Sequence, residues 1–304
     1  MSVAAAFERI AALGVLVRKD EPLAKHTTFR IGGPADLWVE CEDVDMLTRV
    51  IGVLDSESVP RMLLGRGSNV LAADRGVEGA VIVLGGGFRR FRVDGDHLVA
   101  GAGATLAILV QEAFRRGLGG LEFAVGIPGT LGGALAMNAG SRDDWIGSVV
   151  GAVTLLVPGE GLLSVHGDEI DWGYRFAEYP VNGIIVEATL ILSSGDIDGI
   201  RASMEASLTR RKRSQPLGMP NAGSVFVNPP GDSAGRLIEE AGLKGAGVGG
   251  ASVSEVHANF IVNNGGATAE DVLTLVDRIR EAVRQTHGVE LTPEVRTIGR
   301  FEPS

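Results

Sequence analysis

Residues Gly126–Gly140 read GIPGTLGGALAMNAG, and this stretch decides how the rest of the chain is interpreted. Repeated glycines let the main chain adopt positive φ and approach a ligand closely. Successive N–H groups in such a loop form a cradle for a phosphate or pyrophosphate group. The stretch lacks the Gly-Lys-Ser/Thr ending of a P-loop and the G-x-G-x-x-G spacing of a Rossmann turn. It therefore predicts a nucleotide cradle of a third kind.

Two more glycine-rich stretches follow predicted strands. Gly65-Arg66-Gly67-Ser68-Asn69 leaves a short strand at Met62–Leu64, and its Ser and Asn side chains can donate to phosphate oxygens. Gly101–Thr105 lies between a predicted strand and a predicted helix. Either stretch alone is typical of an ordinary turn. Three glycine-rich strand exits in the first two-thirds of the chain favour a ligand-binding role over three unrelated turns.

The composition limits the class of protein. The chain has 304 residues, enough for two or three modest domains, with 44 glycines and a formal net charge of −10. An acidic balance argues against broad binding to nucleic acid or anionic membranes. Cys41 is the only cysteine, which excludes an intramolecular disulfide and argues against a cysteine-based metal site. No stretch resembles a signal peptide or a membrane span, so we expect a soluble cytoplasmic protein without a metal.

Periodicity predicts mixed α and β structure throughout the chain. We expect helices at 4–13, from the Asp43 cap to about Leu54, at Thr105–Arg116, Asp196–Arg213, Ala234–Ala241 and Ala269–Thr286. We expect strands at Leu37–Cys41, Met62–Leu64, Ala80–Leu84, Phe91–Val93, Leu98–Ala100, Val153–Val157, Leu162–Val165, Ile184–Leu192, near Val225, and at Asn259–Val262 and Leu291–Ile298. The linker-like stretch Ser214–Pro220 indicates a boundary before the last part.

Two sequence matches to known motifs lack the required context. Gly245-x-Gly247-x-x-Gly250 has the dinucleotide spacing, but it follows a helix and leads into a strand, which reverses the strand–turn–helix order. Gly231-Asp232-Ser233-Ala234-Gly235 matches a hydrolase nucleophile elbow. Two prolines precede it, and a central strand cannot continue through them. Ser233 is better interpreted as a helix N-cap.

Three side chains downstream of the glycine run can carry chemistry. Arg175, in Tyr174-Arg175, can bind a carboxylate or phosphate in a bidentate manner, or it can form a surface ion pair. Ser224 can deliver a proton to a carbanion-like centre, although its local sequence favours a turn. Alternation places Glu294 on one face of a strand with Arg296, where the ordinary alternative is a solvated pair.

Taken together, the motifs resemble the UDP-N-acetylenolpyruvoylglucosamine reductase family over nearly the whole chain. The matching stretches are Thr28–Ala35, Gly65–Asn69, Leu121–Phe123, Gly126–Gly140, Tyr174-Arg175, Arg211–Leu217, Ala222–Phe226, Ala234–Gly245, His257–Asn263 and Glu294–Arg296. Two positions depart from the family pattern: Val227 replaces the usual Lys after Ser-x-Phe, and Ala177 replaces the usual Ser two positions after Tyr-Arg. The compact length is similar to the shorter form of the family.

The resemblance implies an α+β fold: a two-lobed FAD-binding domain of the vanillyl-alcohol-oxidase (PCMH) type and a C-terminal α+β substrate-binding domain. The implied boundaries are 1–84 and 85–196 for the two lobes and 205–304 for the substrate domain. It also implies that the glycine loops hold FAD. The implied contacts are Gly65, Gly67, Ser68, Asn69, Gly126, Ile127, Pro128, Gly129, Thr130, Gly132, Gly133, Asn138, Ala139 and Gly140.

The activity implied by the resemblance is reduction of UDP-N-acetylglucosamine enolpyruvate to UDP-N-acetylmuramate in cytoplasmic peptidoglycan synthesis. NADPH would reduce the flavin and leave before the enolpyruvyl nucleotide binds. Arg175 and Glu294 would stabilise the enolic intermediate, and Ser224 would protonate its α-carbon. We expect a monomer with no nucleic-acid or membrane partner. A flavin oxidase with another substrate, a flavin-binding protein without activity and a hydrolase built on Ser233 stay open as alternatives.

Overall fold

A computed structural model describes residues 2–141 and 144–301 of the chain. Helices and runs of consecutive strands are interspersed along it, as expected for an α+β protein. The α-helices are α1 Val3–Ala12, α2 Val44–Ser56, α3 Leu106–Arg115, α4 Leu131–Leu135, α5 Ile197–Ser214, α6 Ala234–Glu240 and α7 Ala269–His287.

The strands are short, apart from four of eight residues each. They are β1 Leu16–Pro22, β2 Pro34–Cys41, β3 Arg61–Leu63, β4 Val70–Ala72, β5 Val77–Leu84, β6 Phe91–Asp94, β7 His97–Gly101, β8 Leu118–Gly119, β9 Val150–Val157 and β10 Gly161–His166, followed by β11 Asp171–Gly173, β12 Phe176–Glu178, β13 Ile184–Ile191, β14 Ser193–Ser194, β15 Asn221–Ser224, β16 Gly247–Val248, β17 Ala251–Val253, β18 Phe260–Asn263 and β19 Arg296–Ile298.

The chain divides into two compact units, each assembled from separate stretches of sequence. Unit 1 comprises the chain up to Arg18 together with Leu37–Arg66 and Ala80–Thr209. Unit 2 comprises Lys19–Asp36, Gly67–Gly79 and the chain from Arg210 onward. The division into lobes 1–84 and 85–196 and a domain 205–304 stays a prediction.

An antiparallel five-stranded sheet with the order β10-β9-β13-β7-β6 organises unit 1. Leu98 pairs with Leu190 across β7 and β13, and both side chains are fully buried. Helix α3 buries Leu109 and Ala113 in the same apolar cluster, as its predicted periodicity requires. This cluster includes Leu131 of α4, so the sheet and α3 support the glycine run directly.

A four-stranded antiparallel sheet with the order β15-β18-β17-β16 organises unit 2. Helix α7 begins at the Thr268 cap, whose hydroxyl accepts the N–H of Asp271, and ends at Gly288 with φ +67°. Its buried apolar face joins Phe226 and residues of the sheet in one core. The remaining sheets are β1-β2-β5-β3 and the pairs β11-β12, β14-β8 and β19-β4.

Several local predictions can be compared with the structure. Asp43 caps α2 through the N–H of Met46, and Cys41 is a buried core side chain, both as predicted. Burial, and then the neighbouring negative charges, raise the pKa of the Cys41 thiol to about 12. Among the described residues, no helix is long and apolar enough to cross a lipid bilayer.

The prediction of a strand from Leu291 to Ile298 is wrong in extent, because only Arg296–Ile298 is a strand. Pro293 lacks an N–H group and forms an isolated bridge with Phe226. The chain before β19 bonds irregularly to the segment after Ser224, through Val227 N–H to Thr292 O and Glu294 N–H to Val225 O, while β19 itself pairs in parallel with β4. The alternation argument that placed Glu294 and Arg296 on one strand face no longer applies.

Candidate functional site

The glycine run folds as an extended segment that enters a short helix. It leaves a turn at Gly126, which has φ +74°, and the side chain of Thr130 then caps α4 by accepting the N–H of Gly133 at 3.3 Å. The run ends at Gly140, which has φ +156° and lies so close to Asp144 that a Cβ atom would collide with its carbonyl oxygen. Glycine is required at both ends of the run for steric reasons.

The stretch Gly101–Thr105 holds the glycine run through main-chain hydrogen bonds. The N–H of Leu131 donates to Ala104 O at 2.8 Å, and the N–H of Gly132 donates to Ala102 O at 2.8 Å. A Cβ atom on Gly132 would lie only 3.0 Å from Ala102 Cβ. The glycine-rich stretches Gly101–Thr105 and Gly126–Gly140 are therefore hydrogen-bonded to each other within unit 1.

The third glycine-rich stretch reaches the same place at its first residue. A Cβ atom on Gly65 would lie 2.6 Å from Thr130 Oγ1. The segment after β3 therefore packs against the glycine run at a distance that leaves no room for a side chain. The following residue pair is Arg66 and Gly67, at which the chain passes from unit 1 to unit 2. Within unit 1, all three glycine-rich stretches meet around Thr130.

This arrangement suits a bound pyrophosphate. Gly126 and Gly133 are exposed, so the open edge of the run presents main-chain atoms without intervening side chains. Main-chain N–H groups in glycine-rich turns and at helix starts bind phosphate oxygens in many folds. The predicted contacts Gly65, Ile127, Pro128, Gly129, Thr130, Gly132 and Ala139 belong to the same three loops. The N–H groups of Ile127, Gly132 and Ala139 donate to protein carbonyls, and Pro128 has no N–H group. The N–H groups of Gly65, Gly129 and Thr130 are the ones that fit the phosphate portion of a dinucleotide cofactor.

Asn138 fixes the end of the run to the neighbouring hairpin. It is buried, has φ +46°, donates from Nδ2 to Gly173 O at 2.9 Å and accepts the N–H of Gly147 at Oδ1 at 3.0 Å. Its side-chain amide therefore positions protein main chain. Its predicted contact with FAD stays a prediction.

The hairpin β11-β12 presents Arg175 on a two-residue turn. Gly173 and Phe176 pair on either side of it, and Arg175 has φ +61°. Non-glycine residues rarely occupy this region, and such strain is concentrated at functional sites. The guanidinium carbon lies 5.7 Å from the centroid of the Tyr174 ring. Sequence patterns missed this hairpin because each of its strands has only three residues, too few to show an alternation of apolar and polar side chains.

In unit 2, the predicted cofactor contact Asn69 is engaged with the C-terminal segment. Its Nδ2 donates to Glu294 O at 3.1 Å, and its own carbonyl accepts the N–H of Arg296 at 3.1 Å. Gly67 has φ +58° and accepts the N–H of Thr28 at 3.1 Å, and Ser68 between them is half-buried. This loop orders the main chain at Glu294, and its predicted contacts with FAD stay predictions.

Ser224 and Glu294 are held on adjoining segments of unit 2. Ser224 ends β15 and pairs with Phe260, and the next carbonyl, that of Val225, accepts the N–H of Glu294 at 2.7 Å. Gly223, with φ +80°, makes the irregular turn into Ser224. Both functional side chains are half-buried. An alcohol and a carboxyl group on paired segments are suited to proton transfer.

The motif matches that lacked the required context have ordinary structural roles. Ser233 Oγ accepts the N–H of Arg236 at 3.4 Å and caps α6, as predicted. The spacing Gly245-x-Gly247-x-x-Gly250 falls on the hairpin β16-β17, whose loop turns at Gly249 with φ +51°. Neither motif forms a ligand site of the corresponding class. Among the described residues, no group of three or more His, Cys, Asp or Glu side chains is arranged to hold a metal ion.

Comparison with known proteins identifies both parts of the chain. Residues 35–158 match the model of an FAD binding domain, and residues 215–298 match the model of the UDP-N-acetylenolpyruvoylglucosamine reductase C-terminal domain. A relative from Symbiobacterium thermophilum named UDP-N-acetylenolpyruvoylglucosamine reductase 2 is 48% identical over 284 residues, which cover 93% of this chain and 92% of the relative.

Solved structures agree. A crystal structure of UDP-N-acetylenolpyruvylglucosamine reductase from Thermus caldophilus is 39% identical, covers 93% of this chain and 98% of its own, and has a TM-score of 0.81. The BBE-like 1 protein of Physcomitrella patens is only 13% identical but covers 92% of this chain and 88% of its own with a TM-score of 0.57, which shows a shared fold.

These matches confirm the predicted fold class, an α+β chain with an FAD-binding domain followed by a C-terminal domain of the reductase family. They also confirm the prediction of a FAD-containing oxidoreductase. The sequence motifs and the fold thus lead to one assignment: the chain belongs to the UDP-N-acetylenolpyruvoylglucosamine reductase family.

Proposed function

We propose that the protein reduces UDP-N-acetylglucosamine enolpyruvate to UDP-N-acetylmuramate, using NADPH as the reductant, in cytoplasmic peptidoglycan precursor synthesis. The observation that carries the proposal is the pairing of the Ser224 and Glu294 segments through the 2.7 Å hydrogen bond from Glu294 N–H to Val225 O. In a FAD-containing oxidoreductase of this family, that pairing supplies a proton donor and a carboxyl group for reduction of an enolpyruvyl double bond.

Bound FAD supplies the redox chemistry, in which a hydride from the nicotinamide is passed to the β-carbon of the enolpyruvyl group. The loops at Gly65 and Gly126–Gly140 would bind its pyrophosphate through main-chain N–H groups. Gly101–Thr105 would support them, since its N–H groups from Gly101 to Ala104 already donate to protein carbonyls. Because these contacts use the main chain, they fix the position of the cofactor without contributing a titrating group near it.

Hydride addition at the β-carbon leaves an electron pair on the α-carbon, delocalised into the carboxylate. Arg175 binds that carboxylate and stabilises its growing charge, since guanidinium matches carboxylate geometry. Glu294 contributes a hydrogen bond to the same enolic system. Preorganised groups of this kind each lower the barrier by about 3–4 kcal/mol.

Ser224 then transfers its hydroxyl proton to the α-carbon, which completes the lactyl group, and it regains a proton from solvent. The stoichiometry balances: one hydride from NADPH and one proton from solvent are added across the double bond. The absence of the family's usual lysine at Val227 leaves this step intact, because the step uses Ser224, Arg175 and Glu294 only.

Anaerobic half-reactions test the proposal. FAD-loaded protein is mixed with NADPH or NADH, and the loss of flavin absorbance is followed. The enolpyruvyl nucleotide is then added, and we expect the absorbance to return with formation of the lactyl product, measured by mass spectrometry. Recovery with oxygen but not with the enolpyruvyl nucleotide would instead support a flavin oxidase with another substrate.

A further inference from the structure

We propose that Asn259 is a positioning residue that sets the place of both Ser224 and Glu294, an inference that rests on the function proposed above. Its side chain forms two hydrogen bonds with a single residue of the neighbouring segment. Asn259 Nδ2 donates to Phe226 O at 2.8 Å, and Asn259 Oδ1 accepts the Phe226 N–H at 2.9 Å. The Asn259 side chain thus makes the two main-chain hydrogen bonds to Phe226 that a neighbouring β-strand would otherwise make.

The burial of this pair makes the arrangement rigid. Asn259 is 2% exposed and Phe226 is fully buried, so neither Phe226 main-chain group can exchange its partner for water. A buried main-chain group without a partner is strongly disfavoured, and the segment is therefore held where Asn259 can satisfy it. Asn259 adds a third bond through its own carbonyl, which accepts the N–H of Val225 at 2.8 Å.

The same segment carries the position of Glu294. The N–H of Val225 donates to the carbonyl of Asn259. The carbonyl of Val225 in turn accepts the N–H groups of Glu294 at 2.7 Å and Val295 at 3.4 Å. Ser224 precedes Val225 directly. A shift of Val225 and Phe226 would therefore move the proposed proton donor and the proposed carboxyl group together.

Asn259 itself is fixed by the turn before β18. Its N–H donates to Nδ1 of His257 at 3.1 Å, and the His257 ring packs edge-on against Phe260 at 5.0 Å between centroids. Burial, and then the positive charge of Lys244, hold the pKa of His257 below its usual value. The neutral ring can keep Nδ1 as an acceptor, which leaves the turn and Asn259 in one conformation.

Asn263, the last residue of β18, provides a matched control. It is also buried, at 7% exposure, and its amide also binds main chain: Nδ2 donates to Phe29 O at 3.0 Å, and Oδ1 accepts the N–H groups of Gly265 and Ala267 at 2.8 and 3.2 Å. None of its side-chain bonds involves Val225, Phe226 or Glu294. A variant there imposes a comparable structural loss at a different place.

Hydrogen exchange of the FAD-loaded protein tests the positioning directly. We expect Asn259→Ala to accelerate exchange of the Phe226 amide at least about tenfold, since that N–H loses its side-chain acceptor. Exchange of the Val225 and Glu294 amides should also be accelerated, because their main-chain bonds lose the support of the Asn259 side chain. Asn263→Ala should accelerate exchange at Gly265 and Ala267 and leave the other three amides within twofold. Unchanged exchange at Phe226 and Glu294 in Asn259→Ala would overturn the proposal.

The half-reactions test the consequence for chemistry. Because misplacement of reacting groups by about 1 Å costs about 100-fold, we expect Asn259→Ala to slow flavin reoxidation by the enolpyruvyl nucleotide by about 10- to 100-fold. Bleaching by NADPH and the Kd of the enolpyruvyl nucleotide should stay within twofold, and the solvent deuterium effect on reoxidation should rise. Equal slowing in Asn263→Ala would show general loosening and overturn the proposal.

A near-isosteric pair covers the case in which the alanine variants do not fold. Asn259→Asp and Asn263→Asp keep an acceptor oxygen, replace the amide donor by an oxygen and place a buried carboxyl group at both positions, so the two variants carry the same chemical change. Slowed reoxidation in the first and not in the second supports positioning, while identical rates in both contradict it. If the wild-type protein is not reoxidised by the enolpyruvyl nucleotide at all, the proposed function fails, whereas the exchange measurement still decides whether Asn259 fixes this segment.

Discussion

The candidate sites in units 1 and 2 are built by different means. In unit 1, the glycine loops are joined by main-chain bonds such as Leu131 N–H to Ala104 O, and the absence of Cβ atoms permits the close approach. In unit 2, the segment at Ser224 is held by the side chain of Asn259, and the segment at Glu294 by that of Asn69. The proposed cofactor site thus depends mainly on close main-chain packing at glycines, whereas the proposed proton chemistry depends on asparagine side chains that bind main-chain groups.

The largest effect should follow removal of the proposed proton donor in unit 2. Ser224→Ala should slow flavin reoxidation by the enolpyruvyl nucleotide by about 10²- to 10⁴-fold, the usual contribution of a positioned acid, and leave bleaching by NADPH unchanged. Stopped-flow absorbance measures both steps. Ser233→Ala is the control, because that hydroxyl caps α6 and its loss should cost about 1 kcal/mol of stability without affecting either rate. Normal reoxidation in Ser224→Ala would assign the proton to another group.

A methyl group in the glycine framework of unit 1 should produce the next largest effect. Gly103 is buried, and a Cβ atom there would collide with the carbonyl oxygen of Leu84, which cannot rotate away. Gly103→Ala should therefore lower the free energy of unfolding by about 1–3 kcal/mol and reduce FAD content after purification. Urea titration and the ratio of flavin to protein absorbance measure the two quantities.

Gly52→Ala is the matched control for that change. Gly52 is exposed in the middle of α2, and nothing lies within 4 Å of its Cβ position. The substitution should raise the free energy of unfolding by about 0.5–1 kcal/mol, because alanine favours the helix, and FAD content should not change. Equal FAD loss in both variants would show that the glycine framework has no special role in binding.

Side-chain capping across unit 2 should contribute less. Both oxygens of Asp74 accept the N–H of Ala269 at 2.9 Å, and Oδ2 also accepts that of Glu270 at 3.3 Å, so a distant loop residue caps α7. Asp74→Ala should lower the free energy of unfolding by about 1–2 kcal/mol. Asp45→Ala, which removes an exposed pair with Arg49 and a first-turn carboxylate of α2 but no helix cap, should change it by less than about 1 kcal/mol. A similar loss in both would argue against capping by Asp74.

The contrast between the units also explains what the sequence could predict. Local signals succeeded: the Asp43 and Ser233 caps, the periodicity of α3 and α7, and the glycine-rich stretches after β3 and at the end of β7 are set by neighbours in the chain. The prediction that Gly126–Gly140 also leaves a strand was wrong, because a single 3₁₀ turn, Glu122–Ala124, precedes it. The meeting of these stretches at Thr130 required packing that no local pattern encodes.

The positions that organise Ser224 and Glu294 could not be predicted, because their partners are far apart in sequence. Asn259 binds a residue 33 positions away, and Asn69 binds one 225 positions away. The strand predicted at Leu291–Ile298 was too long for a related reason: Pro293 interrupts the ladder, and pairing with Val225 replaces regular strand geometry. The sequence around an asparagine does not indicate which distant main-chain groups its side chain will bind.

The smallest effect concerns acid sensitivity in unit 2. Hydrogen bonds from the main-chain N–H groups of Thr268 and Gly250 hold the pKa of Asp271 below its usual value. A carboxyl group with a lowered folded-state pKa stabilises the fold above its unfolded pKa of about 3.9, and that contribution is lost as pH falls through the folded value. Asp271→Asn should therefore be less stable than wild type near pH 7, and the difference should shrink below about pH 4. Urea titrations between these two pH values measure it, and a difference independent of pH would show that the Asp271 charge is not what its two N–H partners stabilise.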